Sequence, residues 1–156
     1  MALHDADERR EVTYQEARAV LEAQRETLAD MDTKAVRTVR ITVVFVGIVL
    51  SVGKLEPTLF DPFFATVSAI AFFASLATGL SAYSQADLFL GPNREYIEQL
   101  TDGDFETRPW KEDLLYTFGA WVEENQAEIG FYGRLLSVAK SLLLVGISLL
   151  GTAVVL

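Results

Sequence analysis

The sequence contains no cysteine, one histidine and four lysines. The absence of cysteine excludes disulfide bonds, thiol catalysis and cysteine-ligated metal ions. The only histidine, His4, lies in the charged N-terminal segment without a neighbouring cluster of metal ligands. Glycine-rich phosphate-binding loops and the Gly-x-Ser-x-Gly and His-Glu-x-x-His motifs are also missing. We therefore expect no enzymatic activity, no cofactor and no metal site.

Acidic residues outnumber basic residues by 22 to 13, which gives a formal net charge of −9. This balance argues against a nucleic-acid partner, because phosphate groups need cationic contacts. Three Asp-x-Asp pairs, at 5–7, 30–32 and 102–104, resemble carboxylate pairs that bind divalent metal in some membrane transferases. In so acidic a chain we interpret them as solvated surface. The acidic, lysine-poor composition resembles that of haloarchaeal membrane proteins.

Charged residues are segregated from long apolar stretches, since the mean hydropathy is positive although 22% of residues are charged. The stretch 62–86 carries no charge and is long enough to cross a hydrocarbon core of about 30 Å. The uncharged stretches 41–53 and 141–156 are shorter, and flanking cations such as Arg40 and Lys140 can extend them by snorkelling. The sequence therefore predicts an all-α integral membrane protein with three transmembrane helices. A buried helix of a soluble protein is the alternative for the first span.

Residues at alternating spacings of three and four define a stripe through the first half of the chain. Behind a capping box that begins at Thr13, the stripe predicts one coiled-coil-like helix from Thr13 through the first span. Its members are Ala17, Leu21, Gln24, Leu28, Met31, Ala35, Thr38, Thr42, Phe45, Val49 and Val52.

A second stripe of the same spacing predicts a helix from near Pro109 to the end of the sequence. Its members are Leu114, Phe118, Trp121, Asn125, Glu128, Tyr132, Leu136, Ala139, Leu143, Gly146 and Leu150. Two prolines, Pro57 and Pro62, predict a short turn between the first two spans. The predicted organisation is a disordered acidic arm at 1–12, a cytoplasmic helix at 13–40, transmembrane helices at 41–55, 62–86 and 135–156, and a cytoplasmic helical connector at 87–134.

The distribution of cations predicts the orientation in the cell membrane. The arm up to Arg40 holds seven Lys or Arg residues and the stretch 87–140 holds five, whereas the turn between the first two spans holds only Lys54. Since loops rich in Lys and Arg remain in the cytoplasm, the N-terminus and the connector are expected there, and the C-terminus outside.

Small, hydroxyl and charged residues within the spans are candidates for lining a pore or for packing helices together. Small residues recur every four positions, which favours close packing either within the chain or between copies; they are Gly47 and Ser51, then Ala71, Ser75 and Gly79, then Ser137 and Ser141. Hydroxyl groups of the second span can line a hydrated path or bond back to their own helix. Lys140 can mark an ion path or snorkel. The candidate pore-lining or packing residues are Ser68, Ser75, Thr78, Gly79 and Lys140.

The first stripe also supplies candidate assembly residues, namely Leu21, Leu28 and Met31. Their apolar side chains can pack against Leu114, Phe118 and Trp121 of the same chain, or against other copies. We expect a homo-oligomer in the lipid bilayer.

A cytoplasmic helix, a tight two-span hairpin and further helical sequence follow one another over residues 13 to about 130. This order resembles the layout of SLATT-type membrane effectors, which are associated with nucleotide-signalled defence systems; the third span departs from their two-span pattern. The resemblance implies oligomeric membrane permeabilisation. A pore or channel-like effector is the leading hypothesis, and a non-conducting scaffold or accessory subunit that recruits a cytoplasmic protein partner is the alternative. A membrane enzyme has the least support.

Overall fold

Three long helices make up most of the protein in the computed structural model, which describes residues 2–56, 58–83, 88–89, 91–92, 94, 96–98 and 110–155. Helix α1 covers Ala2–Leu55, α2 covers Pro62–Ala82 and α3 covers Trp110–Val155. Each contains a segment long and apolar enough to cross a membrane. The described residues include no β-strand, so the predicted all-α class and the three apolar helices are confirmed.

Helix α1 begins earlier than the sequence predicts. The predicted start at Thr13 is wrong, and the segment predicted as a disordered arm is helical from Ala2. The Thr13 hydroxyl donates to the Arg9 carbonyl oxygen at 2.8 Å, one turn back in the same helix. A threonine inside a helix can satisfy its hydroxyl in this way, so the residue pattern of a capping box does not by itself mark a helix start. The preceding Glu and Arg residues are good helix formers, which favours continuation.

Helix α2 is capped by a residue that sequence reasoning assigned only to the turn. The Asp61 carboxylate accepts hydrogen bonds from the backbone N–H groups of Phe63 and Phe64, both at 3.1 Å. Pro62 occupies the first turn, where a missing N–H costs nothing. The predicted second span reached residue 86, whereas α2 ends at Ala82. Uncharged sequence after Ala82 extended the prediction, because the absence of charge does not report where a helix stops.

The chain forms two compact units, each built from parts of the same long helices. The first unit comprises residues 1–28 and 86–130, and the second comprises 29–85 and 131–156. In the first unit, the core is formed by Leu21 of α1 with Phe118 and Trp121 of α3.

In the second unit, α2 runs antiparallel to the segments of α1 and α3. Its C-terminal residue Ala82 packs with Ala35 of α1 and Leu136 of α3. At its start, the Asp61 N–H donates to the carbonyl oxygen of Ala153 near the end of α3 at 2.9 Å. The unit therefore consists of three helical segments, and α2 runs opposite to the other two.

The two sequence stripes are the buried faces of α1 and α3. Every member of both stripes is buried or half-buried, from Ala17 to Val52 on α1 and from Leu114 to Leu150 on α3. Spacings of three and four place these residues on one side of a helix. In each unit, other segments of the same chain pack on that side.

The outward surface of the second unit is apolar. Its exposed large side chains include Val43, Val44, Ile48, Leu50, Phe63, Ile70, Phe73, Leu80, Val138, Leu144 and Val145. A soluble monomer rarely exposes so continuous an apolar surface.

A glycine allows α2 and α3 to approach closely in the second unit. A Cβ atom at Gly146 would lie 2.7 Å from Cε1 of the Phe72 ring. Phe72 is 1% exposed and stacks on Phe45, with ring centroids 6.0 Å apart, so the ring cannot move away freely.

We predict that Gly146→Ala destabilises the detergent-solubilised protein by about 1–3 kcal/mol, because an added methyl group in a filled interface forces a rearrangement. The measurement is thermal unfolding followed by circular dichroism. Gly151→Ala is the matched control on the same helix, since a Cβ there meets no described atom within 4 Å. Equal melting temperatures for the two variants would contradict the close contact.

Candidate functional site

Two serines of α2 donate hydrogen bonds to the backbone of α3 in the second unit. The Ser68 hydroxyl donates to the Gly146 carbonyl oxygen and the Ser75 hydroxyl to the Ala139 carbonyl oxygen, both at 2.8 Å. Both serines are almost completely buried, at 1% and 0% exposure. The serines are one heptad apart, as are their acceptors, so the two bonds repeat the same contact two turns apart along the antiparallel pair.

A threonine of α1 lies beside the second of these serines. The Thr42 hydroxyl donates to the Thr38 carbonyl oxygen at 2.9 Å, and its oxygen lies 3.4 Å from the Ser75 hydroxyl oxygen. A hydroxyl has one hydrogen. Because Thr42 directs its hydrogen to Thr38 and Ser75 directs its own to Ala139, the 3.4 Å contact is a weak one. All three helices thus contribute to a small polar cluster in which both hydroxyl hydrogens are donated to backbone carbonyl oxygens.

The structure separates the small-residue faces that the sequence could not assign. On α2, Ala71, Ser75 and Gly79 are buried inside the unit. A Cβ at Gly79 would lie 3.0 Å from a Val39 methyl group of α1 and 3.8 Å from Ala139 Cβ of α3. By contrast, Gly47 and Ser51 on α1, and Ser137 and Ser141 on α3, are exposed. The α2 face therefore packs helices within one chain, and the other two faces do not.

The candidate pore-lining or packing residues occupy three different environments. Ser68, Ser75 and Gly79 lie in the interior of the second unit. Thr78 is half-buried and donates to the Ala74 carbonyl oxygen of its own helix at 2.8 Å. Lys140 is exposed on the outside of the unit.

Helix α3 carries a row of exposed hydroxyl residues, of which sequence reasoning identified only Ser137 and Ser141. Ser148 and Thr152 continue the row at spacings that keep them on the same side of the helix. The hydroxyls of Ser137, Ser148 and Thr152 donate to carbonyl oxygens one turn back, at 2.9, 2.9 and 3.1 Å. Their lone pairs remain available to other groups. The four-residue spacing of small residues stops at Val145, so only a seven-residue step from Ser141 leads to Ser148 and the rest of the row.

Buried amides connect three segments of the first unit. Asn125, at 1% exposure, accepts from the Phe89 N–H and donates to the Phe89 carbonyl oxygen, both at 2.9 Å. It also donates to the Gln24 side-chain oxygen at 3.2 Å, and Gln24 donates to the Val122 carbonyl oxygen at 2.9 Å. The connector residue Phe89 is thus attached to α3, and α3 to α1. The sequence placed both amides on the stripes without assigning them this role.

Aromatic rings surround the same connector segment. The Trp121 ring stacks on Phe89 with centroids 6.3 Å apart and meets Tyr96 and Phe118 edge to face. The Tyr96 hydroxyl donates to the Asp113 carboxylate at 3.1 Å. Burial raises the pKa of Tyr96, and the hydrogen bond and negative charge of Asp113 raise it further. Tyr96 is therefore neutral at physiological pH and donates to a carboxylate.

The candidate assembly residues are engaged within one copy. Leu21 is 3% exposed in the core with Phe118 and Trp121. Leu28 is half-buried, and Met31 packs on the core of the second unit, where its methyl group lies 3.4 Å from the position of a Cβ at Gly133. Packing inside the chain already accounts for the apolar character of these positions.

The Asp-x-Asp pairs do not form a described metal site. Within the residues that the structure covers, no three or more His, Asp or Glu side chains lie close enough together to hold a metal ion. Asp30 forms an ion pair with Lys34 one turn away. The pair at 102–104 lies outside the described residues.

Comparison of the chain with models of protein families, with curated proteins and with solved structures finds no match.

We predict that replacing both Ser68 and Ser75 by alanine lowers the stability of the protein in detergent by about 1 kcal/mol, since such bonds between membrane helices average about 0.6 kcal/mol each. The control replaces Ser137 and Ser148 by alanine, which removes two exposed hydroxyls that bond only to their own helix. A control variant that loses as much stability as the interior variant would contradict a packing role for Ser68 and Ser75.

Proposed function

We propose that the protein is an integral membrane protein whose copies assemble into a pore, with the exposed hydroxyl row of α3 lining the conducting path. The row comprises Ser137, Ser141, Ser148 and Thr152, and it is the observation that carries the proposal. It gathers four hydroxyls on one side of α3, with the exposed Leu144 between them, whereas the other exposed hydroxyls of the apolar segments, Ser51, Thr66 and Ser81, are scattered over α1 and α2. If the row faces a water-filled path, its hydroxyl groups form hydrogen bonds with water. If it faces lipid, they meet no hydrogen-bond partner there.

The apolar exterior supports insertion into a bilayer. Exposed residues such as Val44, Ile70 and Phe73 lie on the outside of the second unit, where lipid would meet them. Transferring this surface from water to hydrocarbon contributes about 25 cal/mol per Å². The Lys and Arg residues, seven of them up to Arg40 and five in the stretch 87–140, favour an N-terminus in the cytoplasm and a C-terminus outside.

The packing of the described interior supports a path between copies rather than through one copy. Ser68, Ser75 and Thr42 are buried, and their hydroxyl hydrogens are directed to backbone carbonyl oxygens. Gly146 and Gly79 bring the helices so close that even a methyl group would collide with a neighbouring side chain. A hydrated path through this interface would have to break those contacts.

Lys140 adds a charge beside the hydroxyl row. It follows Ser137 by one turn and is exposed. In a ring of copies, several such ammonium groups would surround one end of the path and attract anions. The pore is therefore expected to conduct anions better than cations.

A non-conducting scaffold or accessory subunit is the second candidate, and a groove in the first unit favours it. Arg10, Tyr14, Trp110 and Leu114 line this groove, and Trp110 is 48% exposed. Exposed tryptophan and arginine are typical of protein contact surfaces. A cytoplasmic protein partner would bind there.

Flux measurements on purified protein in liposomes separate the two candidates. We predict anion flux from the wild type, and we predict that a charged, water-soluble thiol reagent blocks flux through Ser141→Cys but not through Ile70→Cys. Ile70 is the matched control, because it is exposed on the apolar outside of α2. The absence of native cysteine makes the labelling specific. An assembled wild type without flux would contradict the pore and favour the scaffold.

A further inference from the structure

A groove on the second unit brings two arginines together with an aromatic ring. Arg37, Arg40 and Val36 of α1 line it from one side, and Tyr83, at the end of α2, lines it from the other. Asp32 contributes the carboxylate of the lining. The groove thus combines two cations and one anion with apolar surface.

Antiparallel packing of α1 and α2 creates this combination. Ala35 packs with Ala82, and Val39 lies against Gly79, so the end of α2 sits beside the segment of α1 that carries both arginines. Tyr83 is extended rather than helical, with its N–H bonded to the Gly79 carbonyl oxygen. Sequence reasoning treated the arginines only as flanking charges of a span and could not place Tyr83 next to them.

Neither arginine is neutralised within the part of the chain that the structure describes. Ion pairs occupy Arg10, Arg25, Lys34 and Arg94 there, whereas Arg37 and Arg40 have no such partner. Both side chains are exposed.

The position of the groove identifies the kind of anion that fits it. Arg40 is the last charged residue before the uncharged stretch 41–53, and the exposed side chains of Val43 and Val44 follow immediately. A ligand held by both guanidinium groups would therefore have a phosphate at the arginines and an apolar part along α1. Guanidinium groups bind phosphate through two parallel hydrogen bonds, and a tyrosine ring is favourable at the level of lipid headgroups.

We propose that Arg37, Arg40 and Tyr83 form a binding site for the headgroup of an anionic phospholipid. The proposal rests on the membrane insertion proposed above, but it does not depend on conduction. The phosphate contacts the two guanidinium groups, Tyr83 lies beside the glycerol region, and the acyl chains follow Val43 and Val44. A zwitterionic headgroup brings its own cation to the arginines, so the site prefers a lipid with net negative charge.

The test measures binding of short-chain phosphatidylglycerol and short-chain phosphatidylcholine to the full-length protein in detergent by native mass spectrometry. We expect the wild type to prefer phosphatidylglycerol by about tenfold or more, because phosphatidylcholine offers the same phosphate but places its own cation beside the two guanidinium groups. Arg37→Gln with Arg40→Gln should abolish the preference. Arg25→Gln with Arg94→Gln is the matched control, because it removes two exposed cations of the first unit, and it should keep the preference.

Three outcomes would overturn the lipid site. The wild type could show no preference, the control could lose it as fully as the groove variant, or inorganic phosphate and glycerol phosphate could displace the lipid at equal concentrations, which would indicate a site for a free phosphate compound. Carbonate extraction of membranes keeps these failures apart from failure of the proposed function. A protein that stays in the membrane but shows no preference contradicts only the lipid site, whereas a protein released as soluble contradicts the insertion itself.

Discussion

In a bilayer, an apolar side chain gains little by leaving lipid for another apolar helix, so close packing and hydrogen bonds have to hold spans together. The second unit meets this requirement with the bonds from Ser68 and Ser75 to the backbone of α3. A serine can reach a helix carbonyl only when the backbones approach closely. Gly146, against the Phe72 ring, and Gly79, against Val39, permit that approach. The arrangement of the three helices depends on this contact.

Because these hydroxyls hold the helices together, only the exposed polar groups of the spans are available for another role. Among the exposed polar residues, the hydroxyl row of α3 and the neighbouring Lys140 form the one group that lies along a single helix side, whereas Ser51, Thr66 and Ser81 are scattered over α1 and α2 of the described chain. The aqueous path proposed above therefore lies between copies. The same reasoning applies to the first unit, where Asn125 and Gln24 are buried and fix the connector at Phe89. In both units, buried polar side chains determine how the helices fit, and exposed ones are left for partners, lipid or water.

Periodicity and charge in the sequence were enough to predict the three apolar helices and the buried faces of α1 and α3. They failed at the ends of helices. Thr13 has the pattern of a cap but lies inside α1, whereas Asp61 is a cap that was read as part of a turn. A stripe also reports that a face is buried without reporting what covers it. The sequence therefore left two packing partners for Leu21, its own chain or another copy. In the structure, its contact with Phe118 places it in the core of its own chain.

The candidate site was less predictable than the fold for the same physical reason. Hydroxyl residues in an apolar helix have the same sequence signature whether they bond to a neighbouring helix, to their own carbonyl oxygens or to water. Only three-dimensional contacts separate Ser75, which bonds across to α3, from Thr78, which bonds back along α2. The groove at Arg37 and Tyr83 joins residues from two helices, and no local pattern indicates that they meet.

The central claim is that the three apolar helices cross a membrane and leave the turn after α1 and the connector on opposite sides. Single cysteines at Thr58 and Gly103 test it in a chain that has no cysteine of its own. An impermeant thiol reagent applied to intact cells should label Thr58→Cys and spare Gly103→Cys, and both should react after the membrane is permeabilised. Equal labelling of the two positions in intact cells would contradict the account.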